Sequence, residues 1–462
     1  MSQTCLIETA IGQTRSALIG ADGLPIEVAF FTDYSQVVPG VIATARITRV
    51  DKQLDMAFAA LPEGKQGILS FRRAKGLGGP QAQTISDCVR EGELVTVQVV
   101  ADPSGLEDKA LTLSARPKIV GRYLVAERGK PRLNFSKDIG PRPKKRLEAA
   151  LAPFKETMAL LVRSKAETVP PDALINEAKW LLQAFQVGGS EPSILFAPTP
   201  AERILLSISD VPDAILTNSS ETLTELNQLT KNRWPDLGSA VSLYDGKDMM
   251  EANGVNEAIE EAIADRIELP CGGWISMHET PALTAIDVNM GGALAGRSAG
   301  DAQMLVNMEA AMAIFFHLRF QDIGGLIVVD FIDMKAKGAA AKMMDLVDGL
   351  VRDDPVPIRR TGISPLGLME VSRKRTGISL RQRFLMRPTI YAAAEAAALD
   401  LLSKAERLGS TGAAGLLLMK SSPDVMTWLQ DNDHLLDALE AKTHRKLSLE
   451  AGRITECAIK QE

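Results

Sequence analysis

Apolar and polar positions along the chain follow two different periods, and the switch between them outlines the elements. Residues 4–33 alternate around Glu8 to Leu18 and break at Gly20, Asp22 and Gly23, which predicts a β-hairpin. Period-two alternation continues through VPGVIATARITRV, LDMAFAAL, GKQGILSF, ELVTVQVVADP and DKALTLSA, spread over residues 38–116. Five short strands with a longer, Gly-rich connection before the fourth suit an OB-type barrel; the pattern alone suits any small β-barrel equally well. From residue 119 a helical period alternates with strands. PRPKKRLEAALAPF opens a helix with Pro and a basic cluster, TMALLVRSKAE reads as a buried strand ending at Arg163, Ser164 and Lys165, and PPDALINEAKWLLQAF reads as an amphipathic helix.

Residues 250–384 carry the strongest pattern. MMEANGVNEAIEEAIADRIEL reads as mostly helix, and GGWISMHE and ALTAIDVN as consecutive strands. AGDAQMLVNMEAAMAIFFHLRF reads as a long amphipathic helix, and GGLIVVDFIDM as a strongly apolar, β-branched strand suited to a buried central position. A further helix, GAAAKMMDLVDGLVRDD, stops before Pro355, and PVPIRRTGIS and LGLMEVSRKR follow. Residues 385–462 read as a largely helical tail with two strands, AAGLLLMK and KLSLEA.

Composition narrows the class only a little. A chain of 462 residues, 45% hydrophobic and 24% charged, is an ordinary globular protein of two to four structural units. No apolar run approaches the ~20 residues that span a bilayer. The N-terminus MSQTCLIETAIGQTR lacks a basic segment followed by an apolar stretch, so no signal peptide is expected and a cytoplasmic location follows by default. Cys5, Cys88, Cys271 and Cys457 are far apart, with no CxxC pair and no histidine beside them, which argues against both a structural zinc site and a disulfide framework. The net charge of −6 lacks the basic excess of a general nucleic-acid binder, yet leaves room for a local basic groove around an acidic centre.

Two strands share an oddity. ALTAIDVN carries Asp287 near its end, and GGLIVVDFIDM carries Asp330 after an apolar run, with Asp333 close behind. Ending a buried strand on a carboxylate is costly without a partner. Two such strands joined by a helix would be sheet neighbours, and paired carboxylates repel unless a cation sits between them. Mg²⁺ suits that role, because it takes one or two carboxylates and completes its shell with water and phosphate oxygens. Asn289, on the same strand face as Asp287, would orient that carboxylate or a water. The plain alternative is that both aspartates cap turns at strand ends, and the pattern leaves it open. Other chemistries find less: there is no GxxxxGK[ST] loop and no GxSxG elbow, and the glycines at 76–79 and 290–296 lack dinucleotide-fingerprint spacing.

At LTAIDVN, DIGGLIVVDFIDM and LGLMEVSRKR, in that order, the chain resembles the bacterial ribonuclease E/G family. VIATARITRVDKQLDMAFAAL is similar to the start of that family's S1-type OB domain, LLVRSKAE to its 5′-sensor strand, and LYDG and ELPCGGWI to the approach to its catalytic part. The resemblance implies an α/β multidomain fold: an RNase H-like unit (1–35 and 200–262), an S1-type OB domain (36–118), a 5′-sensor unit (119–199), a DNase I-like catalytic unit (263–384) and a small C-terminal domain (385–462). It implies an Mg²⁺-dependent endoribonuclease that hydrolyses single-stranded RNA, leaves 3′-hydroxyl and 5′-phosphate ends, and favours 5′-monophosphorylated substrates. Asp287 and Asp330 would hold the Mg²⁺ and Asn289 would hydrogen-bond in the active site. Arg163 and Ser164 would bind the 5′-monophosphate, and Phe58 and Lys109 would contact RNA in the OB domain.

The departures are specific. TGISLRQRFLMRPT stands where the family's zinc-binding CPxC segment follows SRKR, which argues against structural Zn²⁺ and a zinc-linked dimer, though not against homo-oligomers of another kind. A second sensor arginine falls at Pro357, so Arg359 or Arg360 would have to substitute; an OB aromatic falls at Ile68, and Met290 replaces a serine. These losses keep a non-catalytic RNA-binding protein of the same fold as the rival reading, with a phosphodiesterase acting on small nucleotides as a third.

Overall fold

The computed structural model describes residues 3–32, 37–101, 110–183, 185, 189–208, 210–238, 241–293, 298–334, 338–385, 390–410 and 415–460, with backbone alone at 390–393. Lys109 lies outside the described residues. The protein is mixed α/β and folds as two compact units, one of residues 2–16 with 30–245, the other of 17–29 with 246–462. The chain passes between them inside the strands Gln13–Ile19 and Pro25–Thr32.

The first unit contains a closed five-stranded barrel, as the run of alternating segments predicts. Ile42–Asp51 pairs with Met56–Ala60, that strand with Gln66–Ser70, and Leu111–Ser114 bridges to Leu94–Ala101, which pairs back to Ile42–Asp51. Alternation decides what fills it: Ala43, Ala45, Ile47, Ala57, Ala59, Leu69, Val95, Val97 and Leu113 point inward and are buried. The strand Ser193–Phe196 pairs with the start of Ile42–Asp51, at residues 42–44, where Met56–Ala60 does not reach. A second sheet in this unit holds Ala159–Val162 between Arg132–Phe135 and Leu124–Glu127. The helices Pro141–Leu151 and Pro171–Gln183 form where their sequences predict.

The second unit is built on a six-stranded sheet. Its strands, edge to edge, are Arg266–Glu268, Trp274–Glu279, Thr284–Asn289, Gly325–Asp330, Leu368–Arg373 and Ile358–Arg360. Thr284–Asn289 and Gly325–Asp330 pair in parallel, so the chain must cross over between them, and the helix Ala299–Phe320 makes that crossover. One face of the sheet, through Ile275, Met277, Ile286, Val288, Ile327, Val329, Met369 and Val371, packs on Val306, Ala310 and Ile314 of that helix and on Met343 and Val347 of the helix Ala339–Asp353. A three-stranded sheet of Leu447–Ala451, Leu416–Ser421 and Glu456–Lys460 closes the chain; its last strand lacks a clear apolar run and is not expected from the sequence.

Two expectations need correction. Gly325–Asp330 is central in its sheet but buried on one face only: Leu326 is 44% exposed while Ile327 and Val329 are fully buried. Its apolar run therefore comes from an open sheet face that keeps apolar side chains, not from cover on both sides. The segment 249–269 is mostly helix, as its sequence predicts, with Gly254, in a left-handed conformation at φ 68, separating the helices Met249–Ala252 and Val255–Ala262 before a short strand Arg266–Glu268. The helix Ala299–Phe320 is apolar around most of its girth, with Met312 and Phe316 exposed opposite the buried stripe, so it is not a simple amphipathic helix. Among the described residues no helix is long and apolar enough to cross a membrane.

Candidate carboxylate-centred active site

Asp287 and Asp330 are register partners on adjacent parallel strands. Their neighbours Ile286, Val288 and Val329 enter the core, so alternation turns both carboxylates onto the opposite, open face. Neighbouring strands lie about 4.8 Å apart, which sets the spacing of the two Cα positions. The desolvation argument for a metal thus gives way to a different one. Both carboxylates are exposed, and side-by-side placement of like charge is what calls for a cation.

The strand carries the pair's orienting group itself. Asn289 Nδ2 donates to Asp287 Oδ2 at 2.9 Å, two residues along the same face. Beyond Asn289 the chain turns at Gly291, whose φ is 48 and whose N-terminal approach is so close that a Cβ there would lie 2.2 Å from the Gly272 carbonyl oxygen. Gly292 N–H donates to that same carbonyl at 2.8 Å. The glycines at 272–273 and 291–292 therefore lock the exit of one carboxylate strand against the entrance of its neighbour.

On the other strand, the segment after Asp330 is clamped by a residue the sequence does not flag. Asn307, fully buried in the crossover helix, donates through Nδ2 to the Ile332 carbonyl at 2.7 Å and accepts through Oδ1 from Ile332 N–H at 3.0 Å. Phe331 N–H donates to Gly367 O at 3.2 Å. Arg373, in the SRKR segment, is also structural: its buried guanidinium donates through Nε to Asp354 at 3.0 Å and through Nη1 to Asp322 at 3.1 Å. Asp333 lies beyond the strand and is exposed.

The donor set is hard oxygen, and among the described residues no group of three or more His, Cys, Asp or Glu gathers anywhere. Two carboxylates with several open positions fit Mg²⁺, which retains water and takes phosphate oxygens, better than a site that must enclose its ion. The open face also fits a polymer. By contrast, a cavity of about 390 Å³ lined by Thr9, Thr14, Thr199 and Arg203 belongs to the other unit and holds neither aspartate.

Arg163, Ser164 and Phe58 lie in that other unit. Arg163 follows the strand Ala159–Val162; its N–H donates to Tyr123 O at 2.8 Å and its Nη1 to Gly121 O at 2.6 Å. Among the described residues no carboxylate pairs with it. Ser164 is exposed and opens the short helix Ser164–Glu167. Burial, then the neighbouring Arg122 and Arg163, push the Lys165 ammonium at this corner below its usual range, against the opposing pull of Asp236 and Asp210. The corner is held by Glu177, which accepts from the backbone N–H groups of Arg122 (2.6 Å), Tyr123 (2.9 Å) and Leu124 (2.8 Å) and from Trp234 Nε1 (2.8 Å). Its full burial raises its carboxyl to about 7 against those four donors.

Phe58 stands between Ala57 and Ala59, which enter the barrel core, and so faces outward, with the Arg49 guanidinium 4.1 Å from its ring centroid. Ile68 is its register partner on the next strand. Arg360 is engaged by Asp348, whose Oδ1 accepts from its Nη2 at 2.5 Å, while Arg359 is exposed beside Ser372.

The sequence matches the model of the Ribonuclease E/G family over residues 118–376, more than half of the chain. It is 27% identical to Ribonuclease G of Salmonella typhimurium (strain SL1344) over 396 residues, 81% of this chain and 80% of that one. Ribonuclease G of Escherichia coli (strain K12) is likewise 27% identical, over 82% of this chain and 81% of its own. Ribonuclease E of Nostoc sp. (strain PCC 7120) is 31% identical over 66% of this chain and 46% of that longer protein. A match that spans residues 118–376, both aspartate strands included, places the chain in the ribonuclease E/G family of endoribonucleases.

Proposed function

We propose that the protein is an Mg²⁺-dependent endoribonuclease that cuts single-stranded RNA at the open face carrying Asp287 and Asp330, and that it favours strands with a 5′-monophosphate. The observation that carries this reading is the register pairing of two exposed carboxylates, one of them oriented by Asn289. Asp287 and Asp330 hold the ion; bound there, Mg²⁺ supplies neutralising charge to the phosphate under attack. Asn289 keeps one Asp287 oxygen engaged, so its partner oxygen has a single direction. The clamp of Asn307 on Ile332 keeps the chain after Asp330 from drifting.

Recognition elsewhere follows from charge and shape. Arg163 and Ser164 bind the terminal phosphate, the guanidinium by paired N–H donors and the hydroxyl by one more. Phe58, backed by Arg49, offers a ring face to a base, and Lys109 is a further RNA contact. Under this reading the segments 1–35 with 200–262, 36–118, 119–199, 263–384 and 385–462 are the RNase H-like, OB, 5′-sensor, DNase I-like and C-terminal parts.

The test is cleavage of a 5′-monophosphorylated single strand with Mg²⁺, wild type against Asp330→Asn at matched RNA binding. The expected result is a loss of roughly 100-fold or more in the cleavage rate with binding retained, the scale of removing one electrostatic group from a reacting centre. Binding without cleavage in both proteins would instead leave a non-catalytic RNA-binding protein.

A further inference from the structure

The open sheet face that carries the aspartates also carries an indole. Trp274 alternates with Ile275 and Met277, which are fully buried in the core, so it faces the same side as Asp287. It is half-buried and takes no part in that core. Its register partner on the next strand is Asn289, which places the two Cβ atoms about 5 Å apart and Asp287 on the diagonal at roughly 7–8 Å. Ser276 lies between Asp287 and Arg266 in one row across three strands. Arg266 is thus two strands, about 10 Å, from Asp287.

Arg266 is built for exchange. Its guanidinium lies 4.6 Å from the Trp274 ring centroid, and its Nε donates to Glu268 at 2.6 Å. Both members of that ion pair are more than half exposed, 54% and 64%, so the pair contributes little and a phosphate can replace the carboxylate. A guanidinium stacked on an aromatic ring keeps its in-plane N–H groups for such an anion. An indole outside the core, a stacked cation beside it and a metal-ligating pair within one nucleotide's reach form a single strip along the sheet.

We propose that Trp274 is the stacking platform for the nucleobase flanking the scissile phosphate, and that Arg266 holds the next phosphate along the strand. This deepens the proposed function and rests on Asp287 and Asp330 being the reacting centre. The platform sets a modest base preference through stacking area, purines over pyrimidines, without edge-reading hydrogen bonds.

The experiment uses 5′-monophosphorylated single strands with one cut position and each of the four bases on either side of it, under single turnover. Trp274→Ala is expected to lower kcat/KM about tenfold and flatten the preference for a flanking purine, whereas Trp274→Phe keeps most of both. Arg266→Gln should weaken binding and make its dependence on salt shallower by roughly 0.7 in the log–log slope, one phosphate contact on a single strand. A second readout needs no metal. Trp180, Trp234 and Trp428 are buried, so quenching of tryptophan fluorescence by RNA in EDTA should come from Trp274 and vanish in Trp274→Phe. Wild-type base preference in Trp274→Ala, or quenching that survives Trp274→Phe, overturns the platform. An Asp330→Asn protein that still cleaves removes the centre itself, and the platform with it; loss of cleavage there with unchanged Trp274 variants overturns the platform alone.

Discussion

One hydrogen bond decides how the smallest part of the site behaves. Asn289 holds Asp287 at 2.9 Å from a half-buried strand position outside the core, where substitution scarcely touches stability. Asn289→Ala should therefore leave the unfolding free energy within ~0.5 kcal/mol while slowing single-turnover cleavage about tenfold, as the carboxylate regains its rotamers. If Arg163 binds the terminal phosphate as proposed, Arg163→Ala should erase any advantage of a 5′-monophosphate over a 5′-hydroxyl end, read as the ratio of the two cleavage rates, while leaving cleavage of the 5′-hydroxyl strand intact. At this scale the sequence is readable where a polar residue interrupts an apolar period. Asp287 and Asp330 stand out for that reason. Asn307 and Arg373 do not, because a buried amide in a helix and an arginine in a basic run acquire meaning only from the backbone carbonyl or carboxylate that folding brings to them.

Elements hold the two aspartates in place through the crossover. The buried Asn307 amide is bonded on both sides to Ile332, and removing it leaves a partly buried N–H and a partly buried carbonyl without these partners. Asn307→Ala should cost roughly 2–4 kcal/mol in denaturant unfolding, the scale of two orphaned backbone groups. The lock between neighbouring strands is tighter still: a methyl at Gly291 meets the Gly272 carbonyl, and φ 48 is strained for any other residue. Strand and helix positions followed largely from periodicity. What periodicity could not tell was how many faces are covered. Gly325–Asp330 has the composition of a strand buried on both sides, yet its Leu326 and Val328 face the open side, and nothing in the sequence distinguishes an apolar face awaiting a helix from one that lies open beside two carboxylates.

Across the whole molecule, buried ionisable groups give stability its pH dependence. Burial, then Arg381, lowers the His317 imidazole to about 4 from an ordinary 6.5. Below 6.5 the unfolded chain takes up a proton that the folded protein refuses, so this group's contribution falls as pH drops from 6.5 towards 4, by ~2–3 kcal/mol in all. Glu177, raised to about 7, has the opposite sign: between 4.5 and 7 the folded state keeps a proton that the unfolded chain releases, and stability falls as pH rises. The two slopes oppose each other, so the measurement is a difference. His317→Gln should flatten the acid side of the stability profile relative to wild type, and a parallel profile would remove His317 as its cause. At this scale the closed barrel was legible from five alternating segments, whereas the division into two units was not, since the chain enters one and returns to the other inside single strands. The paired aspartates have a consequence for anyone seeking a hardier protein. Two like charges side by side cost the ion-free fold about 1 kcal/mol at water-like screening. Asp330→Asn should accordingly melt higher than wild type in EDTA and gain less on adding Mg²⁺. Selection by melting temperature alone would enrich the variants that have given up their chemistry.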